Sequence, residues 1–135
     1  MYNIVADTNI LVSSIFWNGN PYKIIQKGIE QKILIFTSND ILKELRRILA
    51  RDFDIVESEI DDIINGFALF LHVTESAEKI NFIKEDPTDN IILECAVAAH
   101  ASHIVSGDSH LLKLKEFKGI PIISAKDFID VLNKE

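Results

Sequence analysis

Tyr2-Asn3-Ile4-Val5-Ala6-Asp7-Thr8-Asn9-Ile10-Leu11-Val12 decides how the chain is read. The first five residues form a short apolar run suited to a buried strand. Ile10 to Phe16 reads as a short helix, so Asp7 stands between a strand end and a helix start. In open α/β sheets, sites form in the crevice beyond the carboxyl ends of parallel strands. An acid there is a candidate ligand, although a carboxylate at a helix start also serves the helix dipole without any further role.

Outward from that stretch the same alternation continues. Asn18-Gly19-Asn20-Pro21 is rich in turn residues, and Ile24, Ile25, Gly28 and Ile29 predict a helix over 22–30. Ile33-Leu34-Ile35-Phe36 is a continuous apolar run, as in a strand covered on both faces. Ser38 is a candidate N-cap for a helix whose apolar stripe is Ile41, Leu42, Leu45, Ile48 and Leu49. Ser58 is a candidate cap for the next helix, with Ile60, Ile63, Ile64, Phe67 and Leu71 inward. Residues 71–83 are ambiguous, with a short strand expected near Val73. Pro87 and Thr88, the latter as cap, open a helix that runs through Ile92, Leu93, Ala96, Val97 and Ala99. His103-Ile104-Val105-Ser106 predicts a strand ending in Gly107-Asp108. Ile120–Ile123 predicts a last strand, which Pro121 places at a sheet edge. Ser124-x-x-Asp127 has the form of a capping box before a final helix. Apolar strands alternating with helices imply a mostly parallel sheet sandwiched by helices.

The 135 residues fit one domain with a sizeable core. Hydrophobic residues make up 47% and charged residues 26%, the balance of a soluble globular protein. No apolar run is long enough to cross a membrane and no basic stretch opens the chain, so a cytoplasmic location without membrane association is expected. The single cysteine, Cys95, excludes an internal disulfide and reads as a small core residue. A net charge of −7 argues against a broad electrostatic grip on nucleic acid. It leaves open a nuclease whose acids bind cations and whose basic residues form a local strip.

Two acids, Asp7 and Asp108, directly follow predicted strands and so belong to one edge of a parallel sheet. Asp89 lies in the first turn of the helix preceding Asp108. Glu44 lies roughly 100° from the centre of its helix's apolar stripe, at the border of the buried face. No two of these acids are neighbours in sequence, so only the fold can assemble them. Each alone has an ordinary explanation as a helix-start acid, turn residue or solvated helix residue. Together they suit Mg²⁺ or Mn²⁺, because hard divalent cations take oxygen ligands, whereas clustered carboxylates without one repel and raise each other's pKa.

Taken together, these motifs resemble the PIN domain, and in particular the small prokaryotic PIN proteins assigned as toxin components of toxin–antitoxin systems. The resemblance is carried by Asp7-Thr8-Asn9-Ile10-Leu11-Val12-Ser13, the helix bearing Glu44, Asp86-Pro87-Thr88-Asp89-Asn90, and Ile104-Val105-Ser106-Gly107-Asp108-Ser109-His110-Leu111-Leu112. It spans nearly the whole chain and implies one PIN domain over residues 1–135, a three-layer α/β/α sandwich with a mostly parallel central sheet. It further implies a Mg²⁺- or Mn²⁺-dependent endoribonuclease acting on single-stranded RNA, with Asp7, Glu44, Asp89 and Asp108 as metal-binding catalytic acids. Thr8, Asn9, Asp86 and Ser106 are implied as supporting residues. Many relatives place another Asp where this chain has His110, which is a substituted ligand, a phosphate contact or a plain loop histidine. A cognate antitoxin and a homodimer burying residues 10–30 or the 58–71 helix follow as implied partners.

Lys43, Arg46, Arg47 and Arg51 share the helix of Glu44 and are candidates for RNA phosphate contacts, or else a solvated face. Trp17 is either a stacking platform for a base or a hydrophobic anchor. His72, His100 and His103 read as structural. Two other readings compete: a phosphohydrolase with Asp7 as aspartyl nucleophile, and a non-catalytic PIN-like module that binds RNA or protein. Asn9 stands where haloacid-dehalogenase-type enzymes need a second Asp, which counts against the first.

Overall fold

The computed structural model describes residues 1–75 and 87–134. In chain order its elements are β1 (Asn3–Ala6), α1 (Thr8–Phe16), α2 (Asn20–Ile29), β2 (Leu34–Thr37), α3 (Asn39–Phe53), α4 (Glu57–Ala68) and β3 (His72–Val73). They continue with α5 (Pro87–Ala99), β4 (His103–Val105), α6 (Ser109–Leu114), β5 (Glu116–Phe117), β6 (Ile120–Ile123) and α7 (Ala125–Asn133).

The strands form one sheet in the order β3-β2-β1-β4-β6-β5, parallel throughout except for the antiparallel β5–β6 pair. Ile4, Val5 and Ala6 are all buried. Successive strand residues face opposite sides of the sheet, so burial of all three requires cover on both faces. That cover comes from helices: α5 lies against β1, β2 and β4 and touches α3, while α2 lies against β2 and touches α1 and α7. The fold is therefore the expected α/β/α sandwich with a mostly parallel sheet. Leu34 and Phe36 in β2 are only half-buried, so one face of that strand is less fully covered than its apolar run predicts.

Chain direction explains where a site can form. β1, β2 and β3 progress one way across the sheet, whereas β4 and β6 lie on the other side of β1. The connections diverge between β1 and β4, and a crevice opens beyond the carboxyl ends of strands at such a switch point.

Several local expectations differ from the structure. Asn20 and Pro21 belong to α2 rather than to a turn before it: proline lacks an N–H and has a helical φ, so it suits a helix start. Val56, not Ser58, is the N-cap residue of α4; it has no side-chain cap, and Glu57 and Glu59 supply negative charge in the first turn. Thr88 is the second residue of α5 instead of its cap. Pro121 is not on an edge strand. The two-residue β5 covers β6 outside it, and its pairing to that strand uses Ile122 N–H donating to the Lys115 carbonyl at 2.9 Å, so the absent proline N–H costs no ladder bond there. Asp86 and the residues from 76 to 83 that were ambiguous in sequence lie outside the described residues. No helix among the described residues is long and apolar enough to cross a membrane.

Candidate metal centre

Asp7 is fixed from three directions. Its backbone continues the β1–β4 ladder, the N–H donating to the Val105 carbonyl at 3.0 Å. Its side chain caps α1: Oδ1 accepts the Ile10 N–H at 2.8 Å. Oδ2 accepts the Ser106 hydroxyl and, at 3.2 Å, the Gly107 N–H. Asp7 is thus both a helix cap and a site residue, because each carboxylate oxygen can accept more than one partner. Burial pushes its carboxyl above the ordinary value, opposed by the hydrogen bonds from Ser106, Ile10 and Gly107, with the Asp108 charge adding a smaller upward push.

Ser106, fully buried, links the two strand-end acids. While its hydroxyl donates to Asp7, its Oγ accepts the Asp108 N–H at 2.9 Å. Asp108 caps the six-residue α6, its Oδ1 accepting the N–H groups of His110 at 2.7 Å and Leu111 at 3.4 Å. His110 meets Asp108 through its backbone; its side chain is exposed and does not line the crevice.

A crevice of about 210 Å³ is lined by Asp7, Glu44, Asp89 and Asp108 together, with Thr8, Asn9, Thr88, Ile48 and Ile92. The four acids read from sequence therefore meet in one place. Asp89 is buried; Asn9 is exposed at the rim. Arg51 and Asp52 complete the lining. Asp52 was not singled out in the sequence, yet its signal was present: Arg51 is seven residues, two helical turns, after Glu44, which returns it and its neighbour to the same side of α3. The Arg51 guanidinium holds Asp52 with bonds of 2.7 and 3.0 Å, which keeps that carboxyl below its usual range.

The basic residues of α3 divide. Arg46 reaches Asp61 on α4 at 2.8 Å and ties the two helices together. Arg47 grips Glu44 with both ends of its fork, at 2.6 to 3.0 Å. Lys43 and Arg47 line a second, shallower hollow of about 370 Å³ that shares Glu44 and Thr88 with the acidic crevice. Trp17 is 58% exposed and leans edge-on against Phe16, which stacks on Phe53 at 4.4 Å; it is part of a surface aromatic group instead of an anchor in the core.

The carboxylates match a hard divalent cation in donor type. Their positions match it only in part. Among the described residues no group of three or more His, Cys, Asp or Glu side chains is gathered as metal ligands, and Glu44 is turned to Arg47. Mg²⁺ itself needs only one or two carboxylates and keeps several waters, so the crevice suits it without a closed cage.

A parallel sheet whose switch-point crevice is lined by acids from four separate segments defines the class of protein. The PIN domain family model matches residues 3–110, and the chain belongs to that family. It is 30% identical over 123 residues to the uncharacterized protein MJ1680 of Methanocaldococcus jannaschii, covering 84% of this chain and 75% of that one. In fold it is similar to VapBC2 from Rickettsia felis, solved bound to a DNA fragment from its promoter (TM-score 0.65, 17% identity, 89% of this chain and 96% of that one). It is also similar to FitAB bound to the IR36 DNA fragment (TM-score 0.57, 13% identity, 90% and 94%) and to FitAcB from Neisseria gonorrhoeae (TM-score 0.53, 12% identity, 91% and 98%).

Proposed function

We propose that this PIN-domain protein is a Mg²⁺- or Mn²⁺-dependent endoribonuclease that hydrolyses single-stranded RNA, and that it is the toxin of a toxin–antitoxin pair. The observation that carries the reading is the meeting of Asp7, Glu44, Asp89 and Asp108 in one crevice at the carboxyl edge of the sheet. Acids gathered in one crevice repel when ionised, and a divalent cation would offset that charge.

Asp7, Asp89 and Asp108 would hold the cation, with Glu44 joining them once released from Arg47. When bound, such an ion supplies activation of a water and neutralisation of charge developing on the phosphate oxygens. The chain supplies the geometry. Ser106 and the Ile10 and Gly107 N–H groups fix the Asp7 carboxylate, and the Ser106 hydroxyl sets its distance from Asp108. The same bonds argue against Asp7 as an aspartyl nucleophile: the group is 3% exposed and both its oxygens are engaged.

The complexes VapBC2 and FitAB support a protein partner for this chain. Assembly has a candidate surface. Tyr22, Ile25 and Ile29 of α2 face Ile63 and Phe67 of α4 across an apolar groove of about 280 Å³, with Tyr22 and Ile29 exposed. Both helices fall within the stretches expected to be buried in a homodimer, and light scattering at micromolar concentration should give a dimer mass. A monomer would remove the dimer without touching the catalytic reading.

The test of function is cleavage of unstructured single-stranded RNA with Mn²⁺ or Mg²⁺, abolished by EDTA. Asp7→Asn should lose on the order of a thousandfold or more in rate. Wild-type cleavage by this variant, or no cleavage of any RNA by a protein that binds Mn²⁺, would leave the chain as a binding module.

A further inference from the structure

Arg47 is placed to do more than neutralise a surface acid. Its guanidinium takes both oxygens of Glu44, one of the four crevice acids, and the pair sits where the acidic crevice and the shallower hollow meet. Glu44 has only 14% of its side chain exposed, whereas Arg47 is 51% exposed. While the Arg47 fork holds both of its oxygens, Glu44 can serve the crevice only in competition with that guanidinium. Freed from Glu44, the Arg47 fork has the planar shape and donors that match a phosphate. Lys43, four residues before Arg47, lines the same hollow, and Arg51, four residues after, lines the crevice. Residues four apart share a helix face, spaced by about 6 Å along the axis. Arg46 differs from this row, being tied to Asp61 on the neighbouring helix, whereas Arg51 is paired with its own neighbour Asp52, which also lines the crevice.

We propose that Arg47 is a displaceable counter-ion that couples cation loading to binding of single-stranded nucleic acid. In the cation-free protein it neutralises Glu44. Divalent-cation binding takes Glu44, and the released guanidinium contacts a backbone phosphate in the row Lys43–Arg47–Arg51. No covalent step is involved; one ion pair is exchanged for two. This rests on the metal-dependent reading above. Coupling must be reciprocal, so nucleic acid that captures Arg47 also tightens the cation. Arg47 is a positioning residue for Glu44 and a ligand for the substrate backbone.

The experiment measures two affinities without turnover: Mn²⁺ by titration calorimetry, and a cleavage-resistant 2′-O-methyl phosphorothioate oligonucleotide by anisotropy in Mn²⁺. Arg47→Gln should tighten Mn²⁺ by roughly two- to fivefold, the range for removing an exposed ion-pair competitor. It should weaken the oligonucleotide by roughly tenfold. Loss of a nearby positive charge alone would move both in the same sense, so a cycle with Glu44→Gln separates the two explanations. With Glu44 already neutral, Arg47→Gln should leave Mn²⁺ affinity unchanged, while Arg51→Gln, which lines the crevice but does not hold Glu44, should act alike in both backgrounds. Equal effects of Arg47→Gln in both backgrounds, or weaker Mn²⁺ binding in the single variant, would overturn the exchange. Absence of Mn²⁺ binding by the wild type, or binding untouched by Asp7→Asn, would overturn the metal-dependent reading and the exchange with it. Arg46→Gln is the control: it should lower the melting temperature and move neither affinity.

Discussion

Asp7 shows why a residue's two explanations need not compete. A helix cap and a site acid looked like alternatives in sequence, and the side chain fills both roles because one oxygen faces α1 while the other faces Ser106 and Gly107. This sharpens what Asp7→Asn does to stability. Removing a buried charge relieves desolvation and the push from Asp108. The amide keeps one acceptor for Ile10, but its NH₂ group would confront both the Gly107 N–H and the Ser106 hydroxyl, which would have to turn from donor to acceptor, at a cost of about 1 kcal/mol for each bond lost. The opposing effects predict a melting temperature in EDTA close to wild type, and a large drop would mean that the carboxylate is needed for folding. Sequence could flag Asp7 and Asp108 because strand ends announce themselves locally. It could not separate Arg46 from Arg47, since one partner, Asp61, is fifteen positions away on another helix. Cys95 behaves as its apolar surroundings suggest: burial pushes its thiol up to about 12. It should resist alkylation at neutral pH in the native protein and react once urea unfolds the chain; fast native labelling would contradict its burial.

At the scale of elements, periodicity located every long helix and every strand with a run of apolar residues. It missed α6 and β5, which are six and two residues long. Such segments hold no full hydrophobic repeat; α6 exists because Asp108 caps it, and β5 because β6 offers an edge. Gly28 gives a test of how tightly elements dock. Its place in the apolar stripe of α2 is legible, but its need to be small is not. A methyl group there would come within 2.5 Å of Ile35 Cδ1 and 3.1 Å of Cγ1, and Ile35 is buried. Gly28→Ala gains roughly 1 kcal/mol of helix propensity and loses about 1–3 kcal/mol through overpacking, so a net loss is expected. Ile35→Val removes Cδ1 and by itself costs about 0.5–1.5 kcal/mol. Denaturant melts of the double variant should show less destabilisation than the two single losses combined. Strict additivity would mean that Ile35 yields freely and that the helix is not held by this contact.

The arrangement of the whole molecule was least legible, because sheet order is set by contacts far apart in sequence. Nothing local in Asp7 or Ser106 reveals that β1 and β4 are neighbours, yet their pairing of Ala6 with Val105 brings the strand-end acids together. Whole-molecule charge does make a prediction. With a net charge of −7, the protein repels a polyanion except where a local strip and a bound cation reverse the field. The residues of α3 that line the two hollows offer three cations to phosphate: Lys43, Arg47 and Arg51. Single-strand binding releases counterions with a log–log salt slope of about −0.7 per phosphate neutralised, so three contacts predict a slope of roughly −2. Without divalent cation, Arg47 is held by Glu44. Both affinity and slope should then fall. Anisotropy titrations of a cleavage-resistant single strand over a range of KCl concentrations, with Mn²⁺ and with EDTA, measure both. A slope of about −5 or steeper would demand a wider basic surface than α3 presents. An equally tight, equally salt-dependent interaction in EDTA would show that nucleic acid binds away from the acidic crevice.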